Sequence, residues 1–116
     1  MDINSAQTNR DAGPNPYELL IAALGACTGT TLRMYANRKR WPLGEVRVQL
    51  MDGKVHAEDC LGCEMKEGSV DQIQREIVFM GDLTDEQRQR LLDIANKCPV
   101  HRTLASEIRI ETQLAW

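Results

Sequence analysis

The longest apolar stretch runs Leu19-Leu20-Ile21-Ala22-Ala23-Leu24-Gly25-Ala26-Cys27 and is apolar around the whole circumference of a helix, not along one stripe. A helix of that kind is expected to be enclosed by other structure. Its start is signalled by Gly13-Pro14-Asn15-Pro16. Asn15 is placed to cap, Pro16 suits the first helical position, and Glu18 stands where a capping-box carboxylate belongs. No proline interrupts the segment from Pro16 to about Arg40, and Trp41-Pro42 ends it. Arg38, Lys39 and Arg40 then form a solvated last turn that complements the helix dipole.

Beyond this helix the period changes. Val46, Val48 and Leu50 alternate with Arg47 and Gln49, the pattern of a half-buried strand. Asp52-Gly53 reads as a turn, with Lys54 to Glu58 as the returning strand of a hairpin. Asp59 to Ser69 is polar and reads as a loop. Ile73, Arg75, Ile77 and Phe79 share one parity, which predicts a strand from about Gln72 to Met80. Thr84 and Gln87 form a capping box for a second helix, with Leu91, Leu92, Ile94 and Ala95 as its apolar stripe and Pro99 ending it near Cys98. Ile108, Ile110, Thr112 and Leu114 lie on one face of a final strand from about Ser106 to Leu114. The order is helix, hairpin, strand, helix, strand, and the alternation implies an antiparallel sheet with one wet face, hence an α+β class. Residues 1–12 are a polar lead-in, and 13–116 form a single domain. Four strands and one short helix leave a helix that is apolar all round short of cover, so the expectation is either that a second subunit supplies it or that strands are lacking at the chain start.

The chain has 116 residues, enough for one domain with a real hydrophobic core. A net charge of −3 and only 4% aromatic residues argue against a nucleic-acid partner, whether bound through its backbone or by base stacking. No apolar run approaches the ~20 residues of a membrane helix, and the polar start is not a signal peptide, so the expectation is a cytoplasmic protein with no membrane partner.

Four cysteines change the picture. At this length a core needs no disulfide staples, which shifts weight towards metal or redox chemistry. Cys27, flanked by Gly25 and Gly29, is either a small buried apolar side chain or a thiolate nucleophile with glycines that let another backbone approach. Cys98, read as a C-terminal helix end, gains nothing from the dipole and suits a resolving thiol better than an attacking one. An arginine near Cys27 would stabilise its thiolate, and Arg33 and Arg102 are candidates. Cys60-Leu61-Gly62-Cys63 lacks the strand-to-helix setting of a thioredoxin-type pair. It offers either a local disulfide, unpaired thiols, or, with Cys98 and His101 at the same spacing, a Cys₃His metal set to which His56 adds a further ligand.

Gly13-Pro14-Asn15-Pro16-Tyr17-Glu18-Leu19-Leu20, followed by Ala22-Ala23-Leu24-Gly25-Ala26-Cys27-Thr28, resembles the central helix of the OsmC/Ohr superfamily of osmotically inducible and organic hydroperoxide resistance proteins. Cys98-Pro99-Val100-His101 resembles that family's second cysteine motif, and the resemblance covers about Gly13 to Leu114. The Asp59-Cys60-x-x-Cys63-Glu64 loop is similar to one in a less characterised branch. The resemblance implies an α+β fold with two intertwined subunits, a homodimer. It also implies reduction of an organic hydroperoxide by Cys27, resolution by Cys98 through a disulfide, recycling by a dithiol or lipoyl-type reductant, and no metal or organic cofactor. Relatives with strong peroxidase activity place a glutamate directly after the Asn-Pro, where this chain has Tyr17 and then Glu18. They also draw an arginine from strands before the helix, where this chain has about a dozen residues and Arg10. Glu18, Tyr17, Arg10, Arg33 and Arg102 are therefore the candidate supporting groups.

Overall fold

The computed structural model describes residue 13, residues 15–56 and residues 68–115. The lead-in at 1–12 and the Cys60/Cys63 loop fall outside the described residues. Helix α1 spans Pro16–Lys39. Asn15 Oδ1 accepts the Glu18 amide at 2.8 Å, and Glu18 Oε1 accepts from Asn15 Nδ2 at 3.2 Å, so the predicted cap forms. The helix stops at Arg40, whose left-handed backbone (φ 59°) directs its amide to the carbonyls of Ala36 and Asn37.

Strand β1 (Leu43–His56) runs straight through Asp52-Gly53, which is not a turn. It pairs antiparallel with β2 (Ser69–Gly81) along its length, Val46 opposite Phe79 and His56 opposite Ser69, with a bulge between Leu43 and Val46. Asp52 and Gly53 face Ile73 and Gln72 in the ladder, and beside them Lys54 Nζ bonds Asp71 Oδ1 at 2.9 Å. The pairing across this segment overrides the local turn preference of Asp-Gly. Sheet parity is as expected: Val46, Val48, Leu50, Ile73, Ile77 and Phe79 turn towards α1, while Arg47, Gln49 and Val78 face away.

Helix α2 (Asp85–Ala95) opens with the predicted capping box, Thr84 and Gln87 exchanging bonds of 3.1 and 2.9 Å. Its stripe is narrower than expected. Leu91, Ile94 and Ala95 are buried, but Leu92 is exposed. Tyr35 clamps α2 to α1, its hydroxyl accepting from Arg90 Nε at 3.1 Å while its ring meets Trp41 edge-on. Pro99 does not simply end α2. That helix stops at Ala95, and Pro99 occupies the first turn of another, α3 (Pro99–Leu104), with Cys98 as N-cap. The predicted final strand is absent among the described residues. From 107 to 115 the chain pairs with neither β-strand, and Ile110 and Leu114 are 85% and 90% exposed. Alternation states which face wants burial, but a strand also needs a neighbour to bond.

The core gathers where the C-terminal half of α1 meets the sheet and α2: Leu32, Ala36, Leu43, Phe79, Leu91, Ile94 and Ala95. Only Leu24, Thr28, Leu32 and Ala36 of α1 are buried, one stripe at fourfold spacing, so within a single chain the helix is not enclosed. Tyr17, Leu19, Leu20 and Met34 remain exposed. By length and mean hydropathy α1 is long and apolar enough to cross a bilayer, contrary to the expectation from the sequence, yet its buried stripe packs as a core helix does.

Gly81 marks a tight corner. Its φ of 119° suits glycine alone, and a Cβ there would strike the Pro42 carbonyl oxygen and stand 2.9 Å from the Gly44 amide. Gly81→Ala is expected to lower unfolding free energy by about 2–3 kcal/mol in urea titrations. Gly53→Ala, where an added methyl meets nothing, serves as comparator. Equal midpoints for the two variants would disprove the assignment.

Candidate active site

Helix α1 carries Cys27 on the flank of its buried stripe, and the short link from α2 to α3 brings Cys98 against it. Both are free thiols. Cys98 is fully buried, whereas Cys27 is partly open. Burial raises the Cys27 thiol, but three hydrogen bonds to its sulfur outweigh that and hold it below the ordinary thiol value. The donors, in order of effect, are the Val100 amide, the Cys98 thiol and the Thr31 hydroxyl. Among the described residues no guanidinium or ammonium takes part in this shift.

Cys98 was expected at a helix C-terminus; it lies at the N-terminus of α3 instead. Its sulfur accepts the His101 amide at 3.3 Å as an N-cap side chain does. Pro99 was the available signal, since proline favours the first turn of a helix as much as it terminates one. The Cys98 sulfur thus rests on the first turn of α3, at the His101 amide, and the Val100 backbone of that same turn helps hold the Cys27 thiol below its ordinary value.

The other candidates are placed elsewhere. Glu18 is spent on the Asn15 cap, and Tyr17, 67% exposed, lines a cleft of about 270 Å³ with Leu20, Ile21 and the Lys54–Asp71 pair. Arg33 binds the carbonyls of Leu43 and Gly44, fastening α1 to the start of β1. Arg102 is exposed on α3. Arg10 lies outside the described residues, as do Cys60 and Cys63 of the proposed metal set. Among the described residues no three His, Cys, Asp or Glu side chains gather as metal ligands. Gly25 admits the side chain of Leu50, whose Cδ1 stands 2.8 Å from where a Cβ would be, and Gly29 faces open space. Among the described residues no backbone of this chain makes the close approach expected at either glycine.

Arg75 is the residue the site reading missed. It lies on the helix-facing parity of β2, among Ile73, Ile77 and Phe79, and its guanidinium bonds Thr28, Ala95 and Asn96. A charged residue in the buried register of an otherwise apolar strand is a signal legible without coordinates. With Leu24, Asp71, Ile73, His101 and Leu104 it lines a second cavity of about 330 Å³.

Burial, reinforced by the positive Arg75, holds the His101 imidazole below its ordinary value of 6.5. The unfolded chain therefore takes up this proton more readily than the native protein does. The corresponding stability is complete above pH 6.5 and is lost as pH falls through the lowered native value. Urea midpoints are expected to drop between pH 7 and 5, and less so in His101→Gln. Parallel pH curves for the two proteins would dismiss the effect.

The sequence profile of the OsmC-like proteins matches residues 8–113. No curated protein sequence matches the chain. Two solved structures resemble it in fold. One is a Psychrobacter arcticus protein named for osmotic stress induction and detoxification response, with TM-score 0.60, 17% identity and 80% of this chain covered. The other, a Legionella pneumophila protein named as an organic hydroperoxide resistance protein, has TM-score 0.62, 18% identity and 83% of this chain covered. The alignments span 61% and 65% of those two chains, so this chain covers less than two thirds of either.

Proposed function

Since the chain belongs to the OsmC-like protein family, we propose that it reduces organic hydroperoxides with a pair of thiols, Cys27 attacking and Cys98 resolving. The observation that carries the reading is the juxtaposition of a partly open, hydrogen-bonded Cys27 with a fully buried Cys98 whose thiol bonds it. Only the accessible sulfur can meet a substrate first, and hydrogen bonding that holds the Cys27 thiol below its ordinary value favours the thiolate that attacks.

The Cys27 thiolate attacks the terminal oxygen of R–O–O–H. An S–O bond forms as the O–O bond breaks, and the alkoxide leaves with a proton as R–OH. Cys27 is then a sulfenic acid. The Cys98 thiol attacks that sulfur, the S–S bond forms as the S–O bond breaks, and the hydroxide leaves with the thiol's proton as water. A dithiol reductant, of the lipoyl type in the family, restores both thiols by exchange. A reducing cytoplasm suits such a cycle. A second copy of the chain is the proposed cover for the exposed face of α1 and for residues 107–115, giving the homodimer.

Reduced protein mixed with cumene hydroperoxide is expected to lose two free thiols and gain an intrachain Cys27–Cys98 disulfide by peptide mass spectrometry. Retention of both thiols would sink the reading.

A further inference from the structure

Arg75 sits on β2 opposite Leu50, half-buried beneath α1. Its Nη1 donates to Thr28 Oγ1 at 3.0 Å and to the Ala95 carbonyl at 3.3 Å, and its Nη2 donates to Asn96 Oδ1 at 2.9 Å. Thr28 directly follows Cys27. Ala95 and Asn96 end α2, immediately before the link that carries Cys98. Thr28 Oγ1 is itself anchored to the Leu24 carbonyl at 2.7 Å and lies 4.0 Å from Cys98 Sγ. One side chain therefore grips, from a third element, the sheet, both the residue that follows Cys27 and the end of α2 two residues before Cys98.

The charge is not used in an ion pair among the described residues, where the three salt bridges involve other arginines and Lys54. All three acceptors are neutral, which is the work of a planar fork spanning separate segments and not of a point charge. A lysine has the charge without that geometry. Disulfide closure is demanding in the same respect, because the two Cβ atoms must come to about 3.5–4.5 Å with the S–S torsion near ±90°.

We infer that Arg75 is a positioning residue for the resolving step, the strut that holds the Cys98 link in place beside Cys27. This rests on the thiol-peroxidase reading above and adds a role to a residue outside its cysteine pair. Loss of the strut leaves attack on peroxide nearly intact, since no hydrogen bond to the Cys27 sulfur comes from Arg75. It slows closure, because an intramolecular step depends steeply on alignment.

The test separates the two steps. Wild type, Arg75→Gln and Arg75→Lys, each shown to be folded by circular dichroism, are treated with cumene hydroperoxide. Dimedone capture of the Cys27 sulfenic acid and appearance of the disulfide are timed by mass spectrometry. In both variants disulfide formation is expected to slow about 10–100-fold and dimedone adduct to accumulate, with thiol consumption changed less than about 3-fold. Equal closure rates in wild type and Arg75→Gln overturn the inference. So does restoration by Arg75→Lys, which would make charge the cause. Asn96→Ala, at an exposed position where only one of the three bonds is lost, carries the same comparison if Arg75→Gln does not fold. If wild type forms neither sulfenate nor disulfide, the peroxidase reading fails instead. The strut is then judged with diamide, whose azo bond takes two electrons and two protons from the dithiol: unequal closure supports it and equal closure overturns it.

Discussion

Cys27→Ser is expected to abolish hydroperoxide consumption, lowering turnover with cumene hydroperoxide by more than about 10³-fold, as loss of an attacking nucleophile does. The hydroxyl of serine stays protonated at neutral pH, and the amide of Val100, the Cys98 thiol and Thr31 then surround a group that cannot attack. Cys98→Ser has a different outcome. Attack survives, Cys27 remains as a sulfenic acid, and dimedone captures it in stoichiometric amount. The lowered Cys27 value adds a pH signature. Alkylation of wild type by iodoacetamide rises with pH through a midpoint below that of an ordinary thiol, ~8.5, and Thr31→Val moves the midpoint upward. Undiminished peroxide consumption by Cys27→Ser would remove the thiol from the chemistry.

The second large effect concerns assembly. Ile110 and Leu114 extend from the fold on one face of an unpaired segment, and Tyr17, Leu19, Leu20 and Met34 leave α1 apolar on its outer side. Isolated apolar side chains are ordinary on a surface, but the exposed apolar side of α1 and the strand-patterned tail together are where the proposed homodimer has its interface. Wild type is expected to sediment as a dimer, and Ile110→Asp with Leu114→Asp as a monomer. The dissociation constant should rise by at least about 10²-fold, because two carboxylates would have to lose water in an apolar contact. A wild type that stays monomeric at every concentration, or a dimer indifferent to both charges, would refute the assignment.

The helix caps were legible in the sequence because a cap is a local matter. Asn15, and likewise Thr84 and Gln87, lie within one turn of the amides they satisfy, and Pro16 lacks the amide that the first helical position would leave unpaired. The parity of β2 was legible for the same reason, and it already placed Arg75 on the buried face. Its partners were not, since Thr28 and Asn96 come from elements whose packing no pattern states. Asp52-Gly53 misled because its turn preference is worth less than a continuous ladder, and Pro99 because terminator and initiator use the same residue. The Ser106 to Leu114 strand failed for want of a neighbour. Pattern shows which face a segment wants to bury, while a strand exists only when another strand is there to bond it.

By itself the sequence determined the family, the α+β class, the start of each long helix and the two cysteines of the proposed site, because these depend on residue type and short spacing. Only the tertiary structure decided that Cys98 heads a helix, that it is hidden while Cys27 is open, and that Arg75 bridges their segments. Such relations arise where distant parts of the chain exclude water from one another, and hydrogen bonds there choose partners by proximity in space.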